Sequence, residues 1–175
     1  MKIILASCRY FLFLILFSNV FIFNSNCIAQ EKPNVIVIVA DDLGWNDVGY
    51  HGSDIQTPNI DRLAREGVEL NRFYVHPTCS PTRSALVTGK SPLRLGFLSP
   101  LSKNNRLGLH LSEKTIADYF KQNGYQTSLI GKWHLGRFSK DYLPTNRGFD
   151  HFYGFLTGGV GHYDHIHGGG LDWQR

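Results

Sequence analysis

The feature that most constrains the fold is an uninterrupted apolar run at residues 34–40, NVIVIVA. Its β-branched side chains favour a strand, and because apolar residues fall on both faces, the strand is predicted to be buried on both sides, as in parallel sheets. The run stops abruptly at Asp41 and Asp42. Residues that follow such a strand lie at the carboxyl edge of the sheet, where ligands bind in open α/β proteins.

Helix and strand signals alternate along the rest of the chain. Capping residues or a proline at the start, and a glycine at the end, predict helices within residues 57–67, 79–89 and 115–124. Apolar or β-branched segments predict extended structure at residues 68–75 and 126–130. From Gly154 onward the sequence is rich in Gly, His and Tyr, which is typical of irregular structure. This order predicts an α/β sheet with parallel strands.

The N-terminus has the pattern of a secretory signal peptide. Lys2 and Arg9 form a positive segment before an apolar stretch at residues 10–23. Cys27 and Ala29 then place small residues at the −3 and −1 positions of a cleavage site. A retained membrane anchor is the alternative, but the stretch is short for a span of ~20 residues. We therefore expect a signal peptide at residues 1–29, a mature region at residues 30–175, and export to the periplasm or medium, or to lysosomes or the extracellular space in a eukaryote.

Cleavage would change both the number of cysteines and the balance of charged residues. It would leave Cys79 as the one cysteine of the mature region, so no intramolecular disulfide is expected. The 18 basic residues of the whole chain would lose Lys2 and Arg9, leaving 16 against 14 acidic ones. No stripe of basic residues interleaved with aromatics is present, and this argues against nucleic acid as a partner. No apolar span follows the signal, so stable membrane insertion is not expected.

Asp41 and Asp42 are candidate metal ligands. Two adjacent carboxylates repel each other unless a cation or hydrogen-bond donors compensate. A hard divalent cation bound by oxygen atoms is a natural partner. The alternative is an ordinary turn and helix cap, because Asp-Asp-Leu-Gly is a common way to leave a strand.

Two further pairs can do chemistry. Cys79 begins a predicted helix, whose free N–H groups favour anions, and Arg83 lies one turn along the same face. Lys132 and His134 flank Trp133 after a strand and can project to one side, where they could bind or protonate an oxyanion. The alternatives are an inert buried cysteine with a surface arginine, and a solvated loop with an aromatic anchor.

These residues carry a resemblance to a known family. Residues 79–89, CSPTRSALVTG, resemble the first signature of the type I sulfatases, and residues 124–134, GYQTSLIGKWH, resemble the second. Residues 33–44, PNVIVIVADDLG, are similar to the family's first strand and metal loop. Residues 144–156 resemble the arylsulfatase B-like branch. The resemblance covers nearly all of residues 32–160.

The resemblance implies both a fold and a reaction. The fold would be alkaline phosphatase-like, with a mixed, mostly parallel sheet flanked by helices, and residues 30–175 would form the N-terminal part of the catalytic domain. A separate formylglycine-generating enzyme would read Cys-x-Pro-x-Arg and convert Cys79 to formylglycine. One hydroxyl of the hydrated aldehyde would attack the sulfur of an aryl or carbohydrate sulfate ester. The second hydroxyl would then help expel sulfate.

The resemblance also implies residue roles. Asp41, Asp42 and the modified Cys79 would bind one calcium ion, and Arg83 would hold the diol. Lys132 would bind sulfate oxygens and His134 would orient or serve the diol. Because calcium takes six to eight ligands, further ligands are expected from downstream of this chain.

Two other functions stay open at this point. A phosphatase or phosphonate hydrolase of the same superfamily is one, although phosphatases usually place Ser or Thr where Cys79 stands. An inactive truncated remnant is the other. His162, His165 and His167 have ligand-like spacing, but we interpret them as part of a Gly-rich loop and assign them no role.

Overall fold

The computed structural model of the protein describes residues 32–102 and 104–175, so the predicted signal peptide at residues 1–29 lies outside the described residues. The chain divides into two units, Met1–Ala40 and Asp41–Arg175. In the first unit, residues 32–40 have no regular secondary structure and are exposed. Across the described ranges, no helix is long and apolar enough to cross a membrane.

The strand predicted at residues 34–40 is not formed. Ile36 and Ile38 are 83% and 82% exposed, which contradicts the expectation that both faces are buried. A strand exists only when a neighbour satisfies its backbone N–H and C=O groups. Within the part of the chain that the structure describes, no strand pairs with this run.

The extended segment predicted at residues 68–75 also forms no strand. Its apolar side chains are exposed, with Val68 at 87% and Tyr74 at 85%. The backbone turns in its middle, where the N–H of Phe73 donates to the carbonyl of Leu70 at 3.0 Å. Both failed strand predictions concern runs whose pattern is right for a strand but which have no pairing strand among the described residues.

The three predicted helices are confirmed. They are α1 (Pro58–Glu66), α2 (Cys79–Thr88) and α3 (Ile116–Gln122). Thr115 and Asp118 form the expected capping box, in which each side chain accepts from the other residue's backbone N–H. Gly89 ends α2 with φ of 67°, the left-handed conformation that favours glycine.

The strands of the described residues form two separate two-stranded sheets. β1 (Ser128–Lys132) lies two residues later than predicted and pairs in parallel with β2 (His151–Phe155). β3 (Ile166–His167) and β4 (Gly170–Leu171) form a short antiparallel hairpin. The sequence did not predict β2, β3 or β4, and β3, β4 and the end of β2 lie in the region predicted to be irregular. The parallel pairing of β1 and β2 nevertheless confirms the α/β class.

Within residues 32–102 and 104–175, four 3₁₀ turns complete the regular structure: Trp45–Asp47, Gly49–His51, Lys140–Tyr142 and Pro144–Asn146. The last two belong to the connection between β1 and β2.

The hydrophobic core is centred on Trp133, directly after β1. Its ring meets Phe149 edge to face, at a centroid distance of 6.1 Å, and its indole N–H donates to the carbonyl of Tyr142 at 2.9 Å. The remaining core residues come from α2, α3, β2 and the adjoining segments: Val87, Phe97, Leu109, Ala117, Leu135, Phe152 and Leu156. Because Trp133 separates Lys132 from His134, its burial anchors both neighbours.

The backbone pairing of the parallel strands continues beyond β1. The N–H of Trp133 donates to the carbonyl of Phe155 at 2.9 Å, and the N–H of His134 donates to that of Leu156 at 3.2 Å. The segment that carries the predicted catalytic residues is therefore held by backbone hydrogen bonds to Phe155 and Leu156 and is not a free loop.

Gly154 permits the close approach of the two parallel strands. It lies opposite Gly131, and a Cβ at Gly154 would fall 2.0 Å from the carbonyl oxygen of Gly131. We expect Gly154→Ala to lower the free energy of unfolding by about 3 kcal/mol or more, because backbone would have to move. Gly170→Ala is the matched control, since a Cβ there meets no atom within 4 Å. Urea unfolding in which both variants lose equal stability would contradict this explanation.

Asp150 predicts a pH dependence of stability. Its carboxylate contacts Lys121 Nζ at 2.5 Å and accepts from the N–H of Thr127 at 3.0 Å. The Lys121 bond, followed by the Thr127 N–H, lowers the pKa of Asp150 to about 2. A carboxyl with a lowered pKa stabilises the fold above its unfolded pKa and loses that contribution as pH falls to its folded pKa.

We therefore expect Asp150→Asn to be less stable than wild type at neutral pH, with the difference shrinking between about pH 4 and pH 2. Asp54→Asn is the control, because the Asp54 carboxylate has no hydrogen bond or ion pair to the described residues. Urea unfolding across pH measures both. A stability difference for Asp150→Asn that does not change with pH would show that this ion pair is not responsible.

Candidate active site

One carboxylate and two cations meet where β1 ends. Lys132 Nζ lies 2.7 Å from Asp41 Oδ2, and Arg83 Nη2 lies 3.3 Å from Asp41 Oδ1. Arg83 also donates from Nη1 to the carbonyl of Lys132 at 2.6 Å. The helix α2 supplies Arg83 and the last residue of β1 supplies Lys132, so the cluster joins the two elements.

The cluster carries an excess of positive charge. The side chains of Lys132 and Arg83 are only 7% and 13% exposed, whereas that of Asp41 is 43% exposed. Partial burial acts to raise the pKa of Asp41, but the bonds and charges of Lys132 and then Arg83 outweigh it and lower the pKa below its usual value. Two nearly buried cations share one ionised carboxylate, which leaves the site suited to a second anion.

Cys79 and His134 form a second contact. Cys79 Sγ lies 3.1 Å from His134 Nδ1, and His134 Nε2 lies 2.9 Å from the carbonyl oxygen of Leu101. A carbonyl can only accept, so Nε2 carries the hydrogen and Nδ1 of the neutral ring is left to accept. Nδ1 is therefore placed to take a proton from the side chain at position 79.

The environment of His134 keeps the ring neutral. Burial is the main cause that lowers its pKa, and the charges of Lys132 and Arg83 add to this effect. The bond to the Leu101 carbonyl acts in the opposite direction and is outweighed. A neutral imidazole beside two cations can act as a proton acceptor, which a protonated one cannot.

The backbone at His134 is held in an uncommon conformation. Its φ is 57°, in the left-handed region, where residues other than glycine are rarely found. Ser80 Oγ donates to the carbonyl of His134 at 2.9 Å and accepts from the N–H of Leu101 at 3.1 Å. The ring itself packs against Gly158, where a Cβ would lie 2.7 Å from His134 Cε1. Several contacts therefore fix this residue together.

Asp42 does not join either group. It is exposed, has φ of 60°, and makes no hydrogen bond or ion pair with the described residues. Its neighbour Asp41 contacts the Lys132 and Arg83 side chains. Carboxylate oxygens are the right donors for a hard cation, but their number is too small, because no three acidic, imidazole or thiol groups in the described ranges lie close enough to hold one.

A cavity of about 140 Å³ adjoins His134 on the side of Leu101. Its lining combines apolar and polar side chains, among them Leu101, Asn105, Arg137, Leu156, Thr157 and His167. His167 thus borders the site, whereas His165 stacks on Trp173 at a centroid distance of 4.2 Å.

The structure brings five of the six predicted site residues into two contact groups. Ser80 and the carbonyl of Leu101 are the additional parts that sequence reasoning missed. Ser80 occupies a variable position of the Cys-x-Pro-x-Arg motif, so the motif itself gives no signal for it. A backbone carbonyl offers no signal at all, because any residue could supply it.

The structure is that of an α/β protein. At the carboxyl end of its parallel strand pair lie two cations, a carboxylate and a thiol–imidazole contact, an arrangement suited to an anion. The sequence profile of the Sulfatase family matches residues 33–169. The chain belongs to the sulfatase family.

Individual relatives agree with this assignment. The chain is 46% identical over 136 residues to Arylsulfatase J of Mus musculus, which covers 77% of this chain and 23% of the relative. It is similar to the crystal structure of the PsFucS1 sulfatase from Pseudoalteromonas sp., with 42% identity, a TM-score of 0.65, and coverage of 74% of this chain and 26% of that one. It is also similar to the crystal structure of Ps i-CgsB in complex with k-i-k-neocarrahexaose, with 42% identity and a TM-score of 0.67. That match covers 75% of this chain and 30% of the other.

The chain thus spans about a quarter of the length of the curated relatives that it matches. Its architecture is that part of the alkaline phosphatase-like sulfatase fold, as the sequence predicted.

The two adjacent aspartates provide a matched test of the charge cluster. We expect Asp41→Asn to lower the free energy of unfolding by about 1 kcal/mol, because it leaves the nearly buried Lys132 ammonium without its carboxylate; the value is small because Asp41 is partly exposed. Asp42→Asn should have little effect. Urea unfolding in a metal-free buffer measures both, and equal stability of the two variants would contradict the assigned ion pairs.

Proposed function

We propose that residues 30–175 are the N-terminal portion of a sulfatase catalytic domain that hydrolyses sulfate esters. The contact between Cys79 and His134 Nδ1, in the same site as Arg83 and Lys132, is the observation that carries this proposal. Membership of the family and similarity to arylsulfatases support it. The proposal includes export of the mature region after cleavage of residues 1–29.

The proposed nucleophile derives from Cys79. We propose that a formylglycine-generating enzyme converts it, because residues 79–83 match Cys-x-Pro-x-Arg without departure. The aldehyde supplies, once hydrated, a hydroxyl that can attack sulfur. His134 Nδ1 accepts the proton of the group at position 79, since Nε2 is already committed to the Leu101 carbonyl. Lys132 and Arg83 bind the anionic oxygens and stabilise their charge.

A divalent cation is proposed to complete the site, with calcium as the favoured ion. Asp41 and Asp42 would hold it by carboxylate oxygens, together with the modified Cys79, and it would polarise the sulfate oxygens. The carboxylate donors fit a hard cation. The small number of ligands is consistent with a chain that spans about a quarter of the length of its relatives. We propose that the missing ligands belong to the portion of those relatives that this chain does not span.

We propose an aryl or carbohydrate sulfate as the substrate. Ps i-CgsB is described in complex with k-i-k-neocarrahexaose, and this supports the carbohydrate alternative. The guanidinium, amide and imidazole groups that line the cavity beside His134 are suited to polar leaving groups.

The first test is chemical. The full-length protein should hydrolyse a chromogenic aryl sulfate, and the tryptic peptide of residues 73–83 should carry the mass of an aldehyde in place of a thiol at position 79. Cys79→Ala should abolish hydrolysis. Aryl phosphate and phosphonate serve as comparison substrates. Preferential hydrolysis of either, or activity that persists in Cys79→Ala, would contradict the proposed sulfatase reaction.

The second test separates metal binding from anion binding. In the full-length protein, Asp41→Ala should lose calcium affinity and activity together, because a ligand is removed. Arg83→Lys should keep calcium affinity and lose activity, because lysine lacks the planar fork that holds oxyanions at two points. Calcium titration and initial rates measure both. Unchanged calcium affinity in Asp41→Ala would remove Asp41 from the metal site.

A further inference from the structure

We infer that Ser80 is a positioning residue for the reaction, because its hydroxyl holds together the two backbone segments that set the orientation and tautomer of His134. The inference rests on the proposed function for its kinetic consequence, but its geometry is independent of that function. It assigns a task to the variable position of Cys-x-Pro-x-Arg that is separate from recognition by a modifying enzyme.

Four hydrogen bonds form a closed circuit between neighbouring residues of α2. The side chain at position 79 contacts His134 Nδ1 at 3.1 Å, and His134 Nε2 donates to the Leu101 carbonyl at 2.9 Å. The N–H of Leu101 donates to Ser80 Oγ at 3.1 Å, and Ser80 Oγ donates to the carbonyl of His134 at 2.9 Å. The circuit begins at Cys79 and returns to Ser80.

Each bond in the circuit limits the next. Ser80 is fully buried, so its hydroxyl has no water with which to exchange these partners. One bond braces the left-handed backbone of His134, and the other fixes the peptide segment of Leu101. As long as the Leu101 carbonyl faces Nε2, the ring hydrogen stays on Nε2 and Nδ1 presents a lone pair to position 79. Without the Ser80 hydroxyl, the His134 carbonyl and the Leu101 N–H each lose a hydrogen bond, and the two segments are no longer joined through this side chain.

A merely structural role is the competing explanation, and α2 itself contains the control. Ser84 is also fully buried, one turn further along the same helix, but its hydroxyl donates to the carbonyl of Pro81 within that helix at 2.8 Å. Removing either hydroxyl perturbs the same helix interior. Only removal of the Ser80 hydroxyl releases Leu101 and His134.

The experiment compares Ser80→Ala with Ser84→Ala in the full-length protein, after mass spectrometry has shown equal aldehyde content at position 79. We expect Ser80→Ala to lower kcat on the order of tenfold to a hundredfold with little change in KM, because a proton acceptor is misplaced while substrate binding is kept. Ser84→Ala should retain kcat. Equal kcat losses in the two variants, or an unchanged kcat in Ser80→Ala, would overturn the inference.

A second measurement does not depend on activity. Nitrogen-15 NMR of histidine-labelled protein, with the His134 signals assigned from His134→Gln, reports which ring nitrogen carries the hydrogen. We expect wild type and Ser84→Ala to show a single form protonated on Nε2, and Ser80→Ala to show averaged nitrogen shifts. A wild-type ring protonated on Nδ1 would overturn the inference. Absence of sulfate ester hydrolysis in the wild type would instead overturn the proposed function and leave this measurement to decide on Ser80.

Discussion

The parallel backbone pairing that begins with β1 and β2 and continues through Trp133 and His134 is the constraint on which the site depends. It fixes the carboxyl end of β1, from which Lys132 reaches Asp41, and it holds His134 by its N–H to Leu156. His134 has a φ of 57°, which is uncommon for a residue other than glycine, and the backbone hydrogen bond to Leu156 supports this conformation. The buried indole of Trp133 secures the same stretch from the core side, so both functional neighbours are positioned by one anchored segment.

The same cations serve two purposes in the site. Lys132 and Arg83 outweigh the single carboxylate of Asp41 and so favour a bound anion. Their charges also oppose protonation of His134, whose pKa is lowered mainly by burial. Anion binding and proton acceptance are therefore compatible: the groups that attract an anionic ester are the ones that help to keep the neighbouring imidazole neutral and able to take a proton.

Local signals predicted the helices well, and non-local pairing explains the failures. The caps at Thr115 and Gly89 are decided within a few residues, so the chain itself contains the information. Residues 34–40 have the composition of a buried strand but no partner in the described ranges. β2 was missed because His151–Phe155 includes Gly154 and merges into a Gly-rich region, and only the facing Gly131 explains why glycine is needed there.

The same distinction between local signals and non-local contacts applies to the site. The motifs contained Asp41, Arg83, Cys79, Lys132 and His134, and the structure adds their contacts. The sequence could not show that Arg83 and Lys132 share Asp41, or that the Leu101 carbonyl selects the ring hydrogen of His134. These facts depend on where backbone atoms from distant segments meet. Asp42 adjoins Asp41 in sequence but lies outside both contact groups, and its backbone is in the left-handed conformation.

The most direct test of the central claim is the intact mass of full-length Cys79→Ser protein after incubation with a sulfate ester. If the group at position 79 attacks sulfur while His134 Nδ1 accepts its proton, one sulfuryl group should accumulate on that position, since a single hydroxyl cannot expel sulfate as a hydrated aldehyde can. Replacing His134 by Gln in the same protein should prevent the modification. Ester cleavage with no adduct at position 79, or a sulfuryl group on another residue, would contradict the account.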